Sequence, residues 1–322
     1  MYSDLIKTKT EQVNNIIKET LAEDKTYGKI CEAMGYSVLN GGKRLRAIML
    51  LESFRMFSDD KETEKSIVWP FVAAIEFIHA YSLVHDDLPA MDNDVLRRGK
   101  PTTHIAYGHA MGVLTGDALL NFAFETIGKT VENETLYRSE LGFRVMKAFN
   151  VLAGKAGYSG MIGGQVLDTT EKFSADKDIK GFEELDVLDL TEEESARIKY
   201  SLFIYELKTS CLIEAALMCG AILGGASPED IRHLEESGKN LGLAFQIEDD
   251  ILDMTSNAET LGKSVNIDEK NGKDTVARIL GLAKAGELVK IYTSMAVNGL
   301  QAVNRENNFL LKLFESLIFR KL

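Results

Sequence analysis

Proline is scarce, with four in 322 residues. An interior proline costs a helix about 3 kcal/mol, so this scarcity leaves room for long uninterrupted helices. Cysteine is scarce too. Cys31, Cys211 and Cys219 form neither an even disulfide set nor a metal-ligand spacing. That excludes a disulfide-stapled scaffold and fits a reducing compartment. Positive charge is in deficit, with 37 Lys and Arg against 49 Asp and Glu, a net charge of −12. Such a balance speaks against nucleic acid as the main partner. Long apolar runs are missing: the most apolar stretch, Cys211 to Leu223, contains Glu214 and is too short to span a bilayer. The opening MYSDLIKTKTEQVNN lacks the basic-then-apolar layout of a secretion signal. A cytoplasmic protein, not embedded in a membrane, is expected.

What remains is an ordinary globular composition, 45% hydrophobic with a mean hydropathy of −0.08. Apolar residues recur at three-and-four spacing nearly throughout, while alternating runs are few. This predicts an all-α protein. Glycine-containing or charged breaks fall at Asn40–Gly42, Gly99–Pro101, Gly224–Pro228 and Gly262–Gly272. One compositional shift, Glu171 to Arg197, is rich in Asp, Glu and Lys and reads as a solvated connection or surface helix.

Two acidic clusters lie inside this apolar pattern: DDLPAMD at Asp86–Asp92 and DDILD at Asp249–Asp253. Carboxylates are costly in such surroundings unless compensated. At an effective dielectric of about 20, two of them about 4 Å apart repel by roughly 4 kcal/mol. A divalent cation relieves that repulsion, and hard oxygen ligands point to Mg²⁺ shared with a substrate phosphate. Bound Mg²⁺ also reverses the local sign of charge, so an acidic chain can still hold a phosphorylated substrate.

In the second cluster Gln246, Asp249, Asp250 and Asp253 are spaced 0, 3, 4 and 7 and share one helical face. The bland alternative is the solvated face of an amphipathic helix. The first cluster is less regular. Asp86 and Asp92 are six apart, but Pro89 between them breaks the helix and lets the chain bring Asp92 back. Upstream, Val72, Ile75, His79, Ser82 and Asp86 form one stripe. By itself His79 reads as a structural histidine. An EF-hand is excluded, because the spacing after Asp92 and Asp94 lacks the third ligand, the turn glycine and the terminal Glu.

Cations accompany the acids. Arg97 and Arg98 follow the first cluster, and GGKRLR at Gly41–Arg46 sets two glycines before three basic residues, leaving room for a phosphate. It is not a Walker A loop, since the upstream glycine and the Ser or Thr after lysine are absent. Lys208 and Thr209 stand at the entrance to the apolar helix Cys211–Leu223, and Lys263 and Lys273 flank a loop after DDILD. Each is either aimed at an anion or simply solvated. Gln165 and Asp168 lie three apart on an expected helix, and Asp117 is read as a helix cap.

In this order, GGKRLR, HAYSLVHDDLPAMDNDVLRRGKPTTH, GDALL, GGQVLD, KT, FQIEDDILD and the LGK loop resemble the trans-polyprenyl diphosphate synthase family, from about Asn40 to Thr275. The detail is most similar to bacterial farnesyl diphosphate synthases. The resemblance implies a single isoprenoid-synthase helical domain over residues 1–322 with a central cavity, normally a homodimer, here with a surface insertion at about 171–197. It implies three Mg²⁺ ions around an allylic diphosphate. Asp86, Asp92 and Asp249 would be the principal ligands, with Asp87, Asp250 and Asp253 supporting them directly or through water. Arg97, Lys208, Lys263 and Lys273 would grip the allylic diphosphate, with Thr209 and Gln246 beside the developing cation. Lys43, Arg46, His79 and Arg98 would hold isopentenyl diphosphate, with Gly42 giving it room.

Ionisation, attack by the isopentenyl double bond and loss of a proton would then lengthen the chain by one five-carbon unit. Tyr81, five residues before Asp86, and the small Ser82 resemble the cavity floor of enzymes making a fifteen-carbon product. A geranylgeranyl synthase, a non-catalytic subunit of a heteromeric synthase and a terpene cyclase are the alternatives. Retention of both acidic motifs disfavours the subunit, and GGKRLR with Arg98 disfavours the cyclase. Departures from the family pattern are Ala47 for proline, Tyr205 for histidine, and Asn266 and Val276 for glycine and tyrosine. The last two leave the role of Lys273 open.

Overall fold

The computed structural model describes residues 2–22, 28–132, 136, 138–170, 173–174, 179–255 and 275–318. Helix dominates, as the spacing predicts. Among the described residues the strands are two residues each, β1 (Leu96–Arg97) and β2 (Lys100–Pro101), paired antiparallel. The chain divides into two compact units, Met1–Leu152 with Met218–Ala226, and Ala153–Leu217 with Ser227–Leu322.

Unit one holds α1 (Tyr2–Ala22), α2 (Gly28–Val38), α3 (Leu45–Phe57), α4 (Trp69–Asp86), α5 (Thr103–Tyr107) and α6 (His109–Lys129). The helix α7 (Glu140–Ala156) begins in it. Its centre is α4, which buries Phe71, Val72, Ala74, Ile75, Phe77 and Ile78 on several sides. A helix that is apolar nearly all round belongs in a core, and α4 packs on α1, α2, α3 and α6. Pro70 follows directly on a π-turn, Glu64–Val68, inside the continuous helical run Lys61–Asp86.

Unit two holds α8 (Met161–Thr170), α9 (Glu192–Tyr205), the start of α10 (Cys211–Gly224), α11 (Pro228–Thr255), α12 (Val276–Ala302) and α13 (Asn308–Ile318). Thr191 and Glu194 open α9 with a reciprocal capping box. The helices α11 and α12 pack along each other, and the Ser237 hydroxyl donates to the Ala296 carbonyl at 2.6 Å. Within the acidic stretch, Phe182, Leu185 and Leu188 are buried, and the Lys239 ammonium lies 5.1 Å from the Phe182 ring centre.

One sequence expectation needs correcting here. Lys208 and Thr209 do not stand at the entrance to a new helix. They occupy a π-turn, Glu206–Ser210, that joins α9 to α10 without a break. The resulting helical run, Glu192–Gly224, has 33 residues and is long and apolar enough to cross a membrane, as is Lys61–Asp86. In the most apolar window of each, 89% and 72% is buried inside the protein, the behaviour of core helices.

Candidate active site

The first acidic motif begins where α4 stops. Asp86 is the last helical residue, three before Pro89, so the helix ends ahead of the proline rather than bulging around it. Tight turns follow. The Asp92 N–H donates to the Asp86 carbonyl at 2.9 Å, and the Asn93 N–H to that of Leu88 at 3.1 Å. Asp92 therefore does return to Asp86, as its spacing around Pro89 predicts. Asp92 is exposed and Asp86 half-buried, while Asp87 is buried.

A two-residue hairpin supplies the arginines. Arg98 and Gly99 both take positive φ, 53° and 76°, the backbone that a tight hairpin of primed type requires. Arg97 and Arg98 then reach to different partners. The Nε of Arg97 donates to Asp87 Oδ1 at 2.7 Å, and its Nη2 lies 2.6 Å from the same atom. Burial pushes the Asp87 carboxyl above its ordinary value, against the pull of Arg97. Arg98 donates to the Gly41 carbonyl. Its guanidinium fills the space that a Cβ at Gly42 would need, 2.7 Å from Nη1, where φ is +108°. Only glycine fits at position 42.

The basic residues of GGKRLR divide by role. Arg44, left-handed at φ 53°, is buried. It donates to Asn14 at 2.8 Å, Glu76 at 3.2 Å and the Val38 carbonyl at 2.6 Å, so it holds the loop in place. Lys43 is exposed and Arg46 half-buried. Burial, then the charges of Arg46, Arg98, Arg44 and Arg97, hold His79 well below the ordinary histidine value. A neutral imidazole among several guanidinium groups marks a place with surplus positive charge, which suits an anion.

Tyr81 is buried, its ring edge-on to His85 with centroids 5.8 Å apart, and burial pushes its phenol up to about 12. Ser82 donates back to the His79 carbonyl at 3.0 Å. His85 closes α4 against α6: its Nε2 lies 3.1 Å from the Val113 carbonyl, and a Cβ at Gly116 would collide with the ring. Asp117 is no cap, because it lies in the middle of α6.

In unit two the whole second motif lies on α11. Asp249 and Asp253 are half-buried, and Asp250 is buried. The Lys208 ammonium donates to Asp168 Oδ2 at 2.6 Å, which assigns the aspartate of GGQVLD a partner 40 residues away. Gly164 is needed where α8 meets the π-turn, since a Cβ there would collide with the Lys208 backbone nitrogen. The Thr209 hydroxyl donates to Gln246 at 2.8 Å, and Gln246 to Asp250 Oδ1 at 3.3 Å. Tyr205 donates to Asp250 Oδ2 at 2.6 Å. Lys263 and Lys273 lie outside the described residues.

Among the described residues no three His, Cys, Asp or Glu side chains converge to hold a metal by themselves. Each motif nonetheless offers hard carboxylate oxygens at least partly open to solvent, Asp86 and Asp92 in one, Asp249 and Asp253 in the other. That donor type suits Mg²⁺, which shares its shell with water and phosphate. Sequence reasoning did not find the Asp87–Arg97 pair, the Lys208–Asp168 pair, the structural work of Arg44 or the seat of His85. All depend on contacts between segments.

The polyprenyl synthetase family model matches residues 28–303. The chain is 39% identical over 268 residues to farnesyl diphosphate synthase of Geobacillus stearothermophilus, covering 83% of this chain and 80% of that one. It is 37% identical over 289 residues to heterodimeric geranylgeranyl pyrophosphate synthase large subunit 1, chloroplastic, of Arabidopsis thaliana, covering 90% and 71%. A geranyltransferase from Helicobacter pylori, solved in complex with magnesium and isoprenyl diphosphate, aligns with a TM-score of 0.71 at 28% identity. The alignment covers 96% of each chain.

Proposed function

The chain belongs to the polyprenyl synthetase family, and on that premise we propose that this prenyltransferase makes mainly farnesyl diphosphate. Isopentenyl diphosphate condenses with dimethylallyl or geranyl diphosphate, releasing diphosphate and a proton. Lys43, Arg46, Arg98 and neutral His79 bind the isopentenyl diphosphate. Lys208 and Arg97 bind the allylic diphosphate, and Thr209 and Gln246 line the reacting carbons. Asp86, Asp92, Asp249 and Asp253 hold Mg²⁺, three ions per site, with Asp87 and Asp250 keeping those ligands in place. Bound Mg²⁺ supplies Lewis-acid stabilisation of charge on the leaving diphosphate. The fixed cations add electrostatic stabilisation of the same charge, and apolar walls keep water from the allylic cation.

The observation that carries the fifteen-carbon product is Tyr81, a buried ring five residues, about 1.4 turns, before Asp86 on α4. Curated relatives bear both farnesyl and geranylgeranyl names, so the product itself is the test. Purified protein, isopentenyl diphosphate and Mg²⁺ are incubated with each allylic starter, and products are separated by length. Fifteen carbons are expected. Elongation to twenty overturns the product assignment, and no elongation from any starter overturns the enzyme. Tyr81→Ala is expected to lengthen the products, and an unchanged profile removes Tyr81 as the floor.

A homodimer is the assembly we favour. Val113 and Leu114 on α6, and Phe143 and Met146 on α7, are exposed, apolar side chains of the kind a second copy covers. A monomeric mass by light scattering at micromolar concentration overturns this.

A further inference from the structure

Tyr205 ends α9 just before the π-turn, and its phenol is buried against the second acidic motif. The hydroxyl donates to Asp250 Oδ2 at 2.6 Å and accepts the N–H of Val276 at 3.3 Å. Gln246 donates to the other carboxylate oxygen at 3.3 Å and accepts from Thr209 at 2.8 Å. A chain of hydrogen bonds thus runs Thr209–Gln246–Asp250–Tyr205–Val276. It ties the π-turn, α11 and the first residue of α12 together. Asp250 is only 5% exposed, so its oxygens depend on protein donors rather than bulk water.

We propose that Tyr205 is a positioning residue for the metal–diphosphate end of the site. By fixing Asp250 it ties this segment of α11 to α9 and the start of α12, and with it the seat of Asp249 and Asp253 on the same face. Through Gln246 it also sets the Thr209 hydroxyl. The inference rests on the reading of Asp249 and Asp253 as Mg²⁺ ligands. The phenol reaches the carboxylate while its oxygen still accepts a backbone N–H. Phenylalanine keeps the ring and loses both bonds.

The test compares wild type, Tyr205→Phe and Tyr205→His in three measurements. Calorimetry reads the binding of inorganic diphosphate with Mg²⁺, steady-state kinetics separates kcat from KM, and metal-free thermal unfolding reports the fold. For Tyr205→Phe we expect diphosphate–Mg²⁺ affinity and kcat to fall about tenfold each, the scale of one buried hydrogen bond. The KM for isopentenyl diphosphate is expected to stay within about twofold, because that site lies elsewhere. Tyr205→His, which restores a donor, is expected to recover most of both losses.

Wild-type affinity in Tyr205→Phe overturns the proposal. So does an equal loss of isopentenyl diphosphate affinity, which marks a general structural defect, and so does failure of the histidine variant to recover. If wild type binds diphosphate with Mg²⁺ but elongates no starter, the functional reading fails while the calorimetric comparison still decides the role of Tyr205.

Discussion

Asp87 and Asp250 hold the same place in their motifs, the second carboxylate of an Asp–Asp pair, and both are buried, at 3% and 5% exposure. Their partners differ in kind. Asp87 is met by the Arg97 guanidinium, whereas Asp250 is met by a phenol and an amide. The backbone explains the contrast. The first motif starts at the last residue of α4 and runs on into turns beyond it, where a charged strut from the hairpin meets Asp87. The second lies within α11, whose own backbone bonds already fix it, so neutral donors are enough. Both sets of bonds end on a carboxylate, but only Arg97 brings an opposite charge, and its loss is the more damaging, because a buried carboxylate is left without a counter-charge.

The largest effect that would sharpen this contrast is expected from Arg97→Gln. It removes the cation from Asp87 and should cost about 3–5 kcal/mol in urea unfolding. A loss no larger than that of Tyr205→Phe would erase the distinction between charged and neutral anchoring. Next come the two glycines that seat the motifs. Gly164→Ala pushes a Cβ into the Lys208 backbone, and Gly116→Ala pushes one into the His85 ring. Overpacking costs about 1–3 kcal/mol. The backbone collision should fall at the top of that range and the ring, which can swing aside, at the bottom. The reverse order in thermal unfolding would show that the first motif has the more rigid seat.

The smallest effect concerns pH. Folding holds His79 below its ordinary value of 6.5, so the unfolded chain takes up its proton first as pH falls. Stability from this group is therefore intact above about pH 6.5 and drains away below it, by at most about 1.4 kcal/mol per pH unit. Urea midpoints at pH 7.5 and 5.5 should show a smaller acid loss in His79→Gln than in wild type. Equal losses would mean that His79 does not contribute to the acid sensitivity of unit one.

Helix periodicity was legible throughout, and so was the stripe from Gln246 to Asp253, because spacing along one helix is a local property. The return of Asp92 to Asp86 was legible because proline dictates a break. What spacing could not separate was Asp249 from Asp250. They are adjacent on one face, yet one is half-buried and the other is enclosed by Tyr205 and Gln246. Nor could it separate Arg44 from Lys43 and Arg46, since the burial of Arg44 depends on Glu76 and Asn14 in other helices. A π-turn leaves no mark in residue type, so spacing alone puts Lys208 at a helix entrance. Neither glycine nor proline occurs in ELKTS.

That turn has a further consequence. An α-helix advances 100° with each residue, so one added residue swings everything after it by that angle unless a local widening absorbs it. Glu206–Ser210 is such a widening. The run from Glu192 to Gly224 is therefore two helices in different phase on one axis. The apolar pattern before the slip and the pattern after it can each be satisfied without agreeing with the other. At the slip itself, Lys208 pairs with Asp168 and the buried Thr209 bonds to Gln246. A lysine and a threonine can thus sit in the middle of a core helix without spoiling the packing on either side.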